Sequence, residues 1–207
     1  MRKTALAIAT LLSALIPSAG PRVARGATPG LAAAPTDAGF AASDTPQVDA
    51  SPVPGSSIER VRGTVTVDVP ASRVRAVVFD FPRYPEFMPH YRRGTIERRD
   101  PSGSVEVRLD IEELAGAVHV WVRLEVSAAS RAGAVERYDG RLLSGNVKAF
   151  QTRWELEAVG PAKTRLTVES FMDPDLPLVP SALINRGARE RVRDVLLALK
   201  ARAEGGK

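Results

Sequence analysis

Residues 105–126 read VEVRLDIEELAGAVHVWVRLEV, and this stretch decides the fold. Val105, Val107, Leu109 and Ile111 alternate with Glu106, Arg108, Asp110 and Glu112, and Val118, Val120, Val122, Leu124 and Val126 repeat the same parity after a short interruption. A period of two with one apolar parity marks a strand buried on one face. Ala115-Gly116 between the runs predicts a hairpin turn, so the two strands pair antiparallel.

The same pattern extends in both directions. Towards the C-terminus, strand-like segments cover about 134–143, 147–158 and 164–172, separated by Ser144-Gly145-Asn146 and by Gly160-Pro161. Towards the N-terminus a strand is expected over about 94–99, and an earlier one sets Val61, Val65, Val67 and Val69 against Arg62, Thr64, Thr66 and Asp68. Pro70-Ala71-Ser72 ends that first strand, with Ser72 expected to cap a short helix carrying Val74, Val77 and Val78. A second short turn over 85–88 stops before Pro89. Beyond Asp173-Pro174 and Leu176-Pro177, Ile184, Ala188, Val192, Val195, Leu196 and Leu199 recur at helical spacing up to Gly205-Gly206. The reading is an α+β fold: an antiparallel sheet of about six to seven strands curled around a long C-terminal helix, with two short helices after the first strand. Helices confined to the ends of the strand run exclude a parallel βαβ sheet.

The N-terminus is of another kind. Arg2 and Lys3 precede an apolar run from Ala5 to Ile16, followed by Pro17, Ser18, Ala19 and Gly20. That run is too short for a bilayer-spanning helix of roughly 20 residues and matches a cleavable secretory signal over residues 1–26, which implies a periplasmic or secreted protein. From 27 to 57 the chain is rich in Ala, Pro, Gly, Ser, Thr and Asp and reads as a disordered linker, leaving 58–205 as one ligand-binding domain. The chain has no cysteine, which excludes disulfides, thiol catalysis, thiolate metal sites and a lipoprotein anchor.

The net charge is +5; the four basic residues Arg2, Lys3, Arg22 and Arg25 and the three acids Asp37, Asp44 and Asp49 precede the domain, which keeps +4. Its arginines are interspersed with acids, as in Arg98-Arg99-Asp100, without a basic stripe or stacking aromatics. Nucleic acid is therefore not an expected partner, while transient contact with an anionic membrane surface is compatible with the charge. The histidines are His90, in a loop, and His119, on the polar parity of its strand, and neither has a partner at metal-ligand spacing. No metal or cofactor is expected, and no GxSxG, phosphate-binding glycine loop or HExxH occurs. Asp110, Glu112 and Glu113 resemble paired carboxylates, but Asp110 and Glu112 share the polar face of a strand, and solvent exposure accounts for the run without chemistry.

Asp80-Phe81-Pro82-Arg83-Tyr84-Pro85-Glu86-Phe87-Met88-Pro89 resembles the aspartate-aromatic, Tyr-Pro-x-Phe-x-Pro segment of the START-like (SRPBCC) superfamily, which includes polyketide cyclases/dehydrases, lipid-transfer domains and coenzyme Q-binding proteins. Trp154-Glu155-Leu156, Thr164-Arg165-Leu166-Thr167-Val168 and Leu183-Ile184-Asn185 are similar to later parts of that family's pattern. The resemblance implies a helix-grip fold with a cavity between sheet and C-terminal helix that holds lipids, isoprenoids, quinones or other apolar molecules. On that basis Phe87, Met88, Phe150, Trp154, Leu156, Ile184 and Val192 are the candidate ligand-binding residues, each competing with ordinary core packing. Tyr84 and Phe87 equally suit a staple between the short helices. The expected function is an exported, monomeric module that binds or carries a hydrophobic small molecule rather than an enzyme. The alternative is a polyketide cyclase- or dehydratase-like activity in the same cavity, assisted by polar side chains such as Tyr138, Arg153 or Asn185. A third reading is a cavity filled by the protein's own side chains.

Overall fold

A computed structural model of the chain describes residues 43–113 and 116–205. The expected signal peptide, most of the expected linker, and Ala115 of the expected turn lie outside the described residues. Gly116 has φ +87°, a turn conformation suited to glycine.

The elements run β1 (Gln47–Ser51), β2 (Arg60–Val67), α1 (Ala71–Val78), a 3-10 turn (Phe81–Arg83), α2 (Tyr84–Phe87), β3 (Tyr91–Arg99), β4 (Val105–Glu113), β5 (Val118–Val126), β6 (Ser130–Ala132), β7 (Val135–Gly145), β8 (Ala149–Gly160), β9 (Lys163–Asp173) and α3 (Ser181–Glu204). One sheet has the order β1-β2-β9-β8-β7-β5-β4-β3, with β6 paired to β7. Every pairing is antiparallel. This is the helix-grip arrangement, with nine strands among the described residues rather than six to seven.

The hairpin of β4 and β5 shows why the inner face is apolar. Val107 lies opposite Leu124, Leu109 opposite Val122 and Ile111 opposite Val120. All six are buried, since side chains on one parity of a paired strand share one face of the sheet.

The helix α3 packs on β1, β2, β9, α1 and α2. It approaches β2 closely because Gly63 has no side chain: a Cβ there would lie 2.5 Å from Val192 Cγ1 and 2.7 Å from Leu196 Cδ1. The C-terminal half of α3 is pinned by polar contacts as well, with Lys200 Nζ donating to the Thr66 carbonyl at 2.8 Å and Arg73 Nε to the Ala203 carbonyl at 3.3 Å. At its other end Asn185 accepts from the Glu59 N–H at 3.0 Å and donates to the Ser57 carbonyl at 3.1 Å.

Two expectations need correction. The domain does not begin at 58, because β1 falls within the stretch read as a linker and pairs with β2 from Gln47 to Ser51. Val53 and Ile58 then pack with Phe171 in a second apolar cluster. A five-residue strand whose inward residues are Val48 and Ala50 has little hydrophobic signature, and ladder hydrogen bonds to β2 supply what its side chains do not. Secondly, Ser72 lies inside α1, and Pro70 occupies the N-cap without any side-chain cap bond. Proline suits this position because its fixed φ precedes the helix and it has no N–H to satisfy.

Candidate functional site

A cavity of ≈ 60 Å³ lies between the inner sheet face and the N-terminal half of α3. Leu109, Ile111, Leu124, Val168, Val192 and Val195 make its apolar walls, with Phe150, Trp154 and Met172 from β8 and β9 beside them. A buried water needs only about 10–15 Å³ on this scale, whereas ligand pockets measure roughly 300–1,000 Å³. As it stands the cavity has room for only a few waters, so a larger guest must displace part of the wall.

Of the residues anticipated from sequence, Phe150, Trp154 and Val192 line this cavity together. Leu156 and Met88 are buried in the core without lining it. Phe87 packs edge-on against Tyr84 at 5.8 Å and carries the Arg202 guanidinium over its ring at 5.3 Å. That is the staple role. Ile184 packs against the separate cluster of Val53, Ile58 and Phe171. Short-range parity placed β8 correctly but gave no account of which buried residues border empty space, a property of how the helix and sheet diverge.

The polar residues suggested for chemistry lie elsewhere. Arg153 pairs with Asp139 at 2.7 Å, and Asn185 secures the start of α3 as described. Tyr138 donates to Glu136 at 3.0 Å and borders a different recess.

A charged pair instead borders the cavity, where Arg191 is part of the wall and meets Glu113 of β4. Arg191 Nε and Glu113 Oε1 are 2.9 Å apart, with only 13% and 14% of the side chains exposed. Neither atom is aligned for a hydrogen bond, so the contact is Coulombic rather than a directed bond. Burial raises the Glu113 carboxyl above the ordinary glutamate range, and Arg191 offsets only part of that shift. Tyr91, also on the cavity wall, has its phenol pushed up to about 12, chiefly by burial. His90 Nε2 approaches Asp194 Oδ2 at 3.9 Å on the same side. Among the described residues the Arg191–Glu113 pair is the one arginine or lysine contact with a carboxylate that ties α3 to β4.

Solvent exposure accounts for Glu112 but not for Asp110 and Glu113. Asp110 is buried, 3.3 Å from Arg108 Nη2, Glu112 pairs with Arg92 at 2.5 Å, and Glu113 turns inward. The signal was present in the sequence: Glu113 continues the parity of Val107, Leu109 and Ile111. Arg191 lies three residues after Ala188 and four before Val195, on the apolar stripe of its helix.

The segment 80–89 builds the floor. Tyr84 is fully buried, and its hydroxyl donates to the Val78 carbonyl at the end of α1. Burial drives its phenol pKa well above the ordinary value. Rings of Phe79, Phe81, Tyr84 and Tyr91 follow one another at 5.9, 5.3 and 5.2 Å between centroids. Phe81 is pressed against β3, since a Cβ at Gly94 would fall 1.9 Å from the Phe81 carbonyl oxygen.

Among the described residues no group of three or more His, Asp or Glu side chains is placed to hold a metal ion. Nor is any described helix long and apolar enough to cross a membrane.

The fold recurs in solved structures. A START superfamily protein from Mycobacterium smegmatis is 26% identical, with a TM-score of 0.62, covering 72% of this chain and 99% of that one. A STAR-related lipid transfer protein from Xanthomonas axonopodis is 16% identical at TM-score 0.68, covering 79% and 96%. The Zhui aromatase/cyclase from Streptomyces sp. R1128 is 22% identical at TM-score 0.50, covering 70% and 93%. No curated protein matches the chain. Residues 59–204 match the model of the family described as polyketide cyclase / dehydrase and lipid transport, and the chain belongs to that family.

Proposed function

We propose that this protein is an exported carrier that takes up an elongated hydrophobic molecule between the sheet and α3. The observation that carries this reading is the way the helix is anchored. Its C-terminal half is locked onto β2, α1 and α2 and its first turns are tied to residues 57–59 through Asn185 and Arg189, while between these anchors Ala188, Arg191, Val192 and Val195 stand over an apolar cavity and meet β4 through the Arg191–Glu113 pair. A guest that widens the space beneath this middle stretch gains about 0.8 kcal/mol for each methylene buried, which a chain of several carbons sets against separation of the Arg191–Glu113 pair while the anchors at both ends stay in place. The relative described as a STAR-related lipid transfer protein supports carriage, and the leader-like residues 1–26 support export to the periplasm or beyond.

Native mass spectrometry of protein recovered from the periplasm, followed by extraction of bound lipid, tests both parts. A stoichiometric lipid, isoprenoid or quinone on a chain shortened at its N-terminus is expected. Empty protein that also refuses added lipid would overturn the carrier reading, and retention of residues 1–26 in the cytoplasm would overturn export.

One observation favours a second reading, a cyclase- or dehydratase-like activity akin to that named for the Zhui relative. Glu113, its carboxyl pKa raised by burial, lies 2.9 Å from Arg191, which lines the cavity together with Tyr91. A carboxyl whose pKa burial raises holds its proton more readily than an ordinary glutamate, as a general acid requires. Turnover of a short poly-β-carbonyl thioester that is lost in Glu113→Gln would establish that activity; no turnover by the parent protein would dismiss it.

A further inference from the structure

A second space opens on the other side of Phe81. This recess of ≈ 560 Å³ lies between α1 and the β3–β4 hairpin, with Phe79, Phe81, Ile96 and Val126 as its apolar floor. Phe81 and Val126 line the recess and the main cavity alike, so the two spaces share a wall. The Phe81 backbone is fixed against Gly94 and its ring is packed between Phe79 and Tyr84, so a passage between the two spaces requires that ring to swing aside.

The lining contains two arginines, Arg75 and Arg99, and no carboxylate. Arg75 is held at 2.6 Å by Glu136, which also takes Arg131 at 2.8 Å, so one acid serves two guanidinium groups. The neighbouring Arg98 pairs with Glu106 at 2.6 Å, but Arg99 is exposed and has no acidic partner among the described residues. An apolar floor bordered by an uncompensated guanidinium matches a molecule with one anionic end and an apolar body, since a guanidinium binds a carboxylate through two parallel hydrogen bonds.

We propose that this recess seats the carboxylate of a single-chain, fatty-acid-type amphiphile, whose alkyl chain passes Phe81 into the main cavity. The inference rests on the reading of that cavity as a hydrophobic binding site and adds the class of its ligand and the end by which it is held.

Equilibrium binding of radiolabelled hexadecanoate and 1-hexadecanol to the full chain tests it, because the two probes share the alkyl chain and differ in the head. The parent protein is expected to prefer the acid by about tenfold, the scale of one charge-assisted contact. Arg99→Gln is expected to reduce that preference below about threefold and Arg99→Lys to retain most of it; as Arg99 is exposed, neither exchange disturbs the core. Phe81→Ala, which merges the two spaces, is expected to speed dissociation of both probes.

Alcohol binding without acid preference would overturn the head-group site while leaving the carrier reading intact. A preference that survives Arg99→Gln and disappears in Arg191→Gln would place the head at the opposite end and overturn the proposal equally. Failure of both probes to bind would overturn the proposal together with the reading it rests on.

Discussion

Glu113→Leu is the perturbation that most directly tests how the cavity is held closed. At 2.9 Å and an effective dielectric of about 20, the Arg191–Glu113 attraction is about 6 kcal/mol before desolvation. Withdrawing two ions from water costs several kcal/mol each, so the net contribution of the pair is close to zero. Removing only the acid is another matter, because Arg191 then keeps its desolvation cost with little beyond the Met172 sulfur, 3.9 Å from its Nη1, for company. Breaking a buried pair commonly costs about 3–5 kcal/mol; here the poor alignment and residual exposure lower the expectation to about 2–3. The double exchange Glu113→Leu/Arg191→Met removes both charges and is expected within about 1 kcal/mol of the parent.

Urea denaturation of the parent, both single variants and the double variant measures the coupling through a double-mutant cycle. There is also a pH signature. Because the folded-state pKa of Glu113 is raised, this group binds its proton more tightly in the folded protein, and stability falls as pH rises from the ordinary value of 4.5 through the folded one. The double variant lacks that loss, so its stability relative to the parent is greater at pH 7 than at pH 4.5. A single variant costing less than about 0.5 kcal/mol, or a double variant as unstable as the two singles summed, would refute the latch argument.

Three other outcomes follow from the geometry. Gly63→Val drives two methyl groups into Val192 and Leu196, and is expected to cost about 1–3 kcal/mol or more in thermal or urea denaturation; an unchanged midpoint would mean that α3 does not sit against β2 in solution. Glu136 has the opposite pH sign to Glu113: burial pulls its carboxyl upward, but hydrogen bonds from Arg75, Tyr138 and Arg131 together bring it below 4.5, so its stabilisation is complete above that value and lost as pH falls through the lower folded one. Glu136→Gln should therefore lower stability at pH 7 by about 1 kcal/mol and flatten the acid side of the pH profile, and an unaltered acid limb would count against the network. A chain starting at residue 43 is expected to fold and remain soluble, whereas one starting at Ile58 lacks β1 and Val53, bares the β2 edge, and is expected to be about 2 kcal/mol less stable and prone to association in a sedimentation experiment.

The sequence by itself determined the order and type of the main elements. Alternation over 105–126 and the helical stripe ending at Leu199 both survive in the structure, because each is dictated by the local geometry of strand and helix. The segment from Asp80 to Pro89 was likewise legible, its prolines and aromatics bending the chain across the end of the sheet. What sequence could not assign was the role of residues whose surroundings come from distant parts of the chain. Strand β1 has little apolar signature and exists through its ladder with β2. Leu156 and Trp154 share one parity of β8, yet one is fully buried and the other borders the cavity, since the distance between sheet and helix changes along the strand. Glu113 and Arg191, 78 positions apart, each look misplaced on an apolar face until the fold brings them to 2.9 Å. Local pattern specifies which face a side chain takes, but only the packing of sheet against helix decides whether that face meets a neighbour, an opposite charge or empty space.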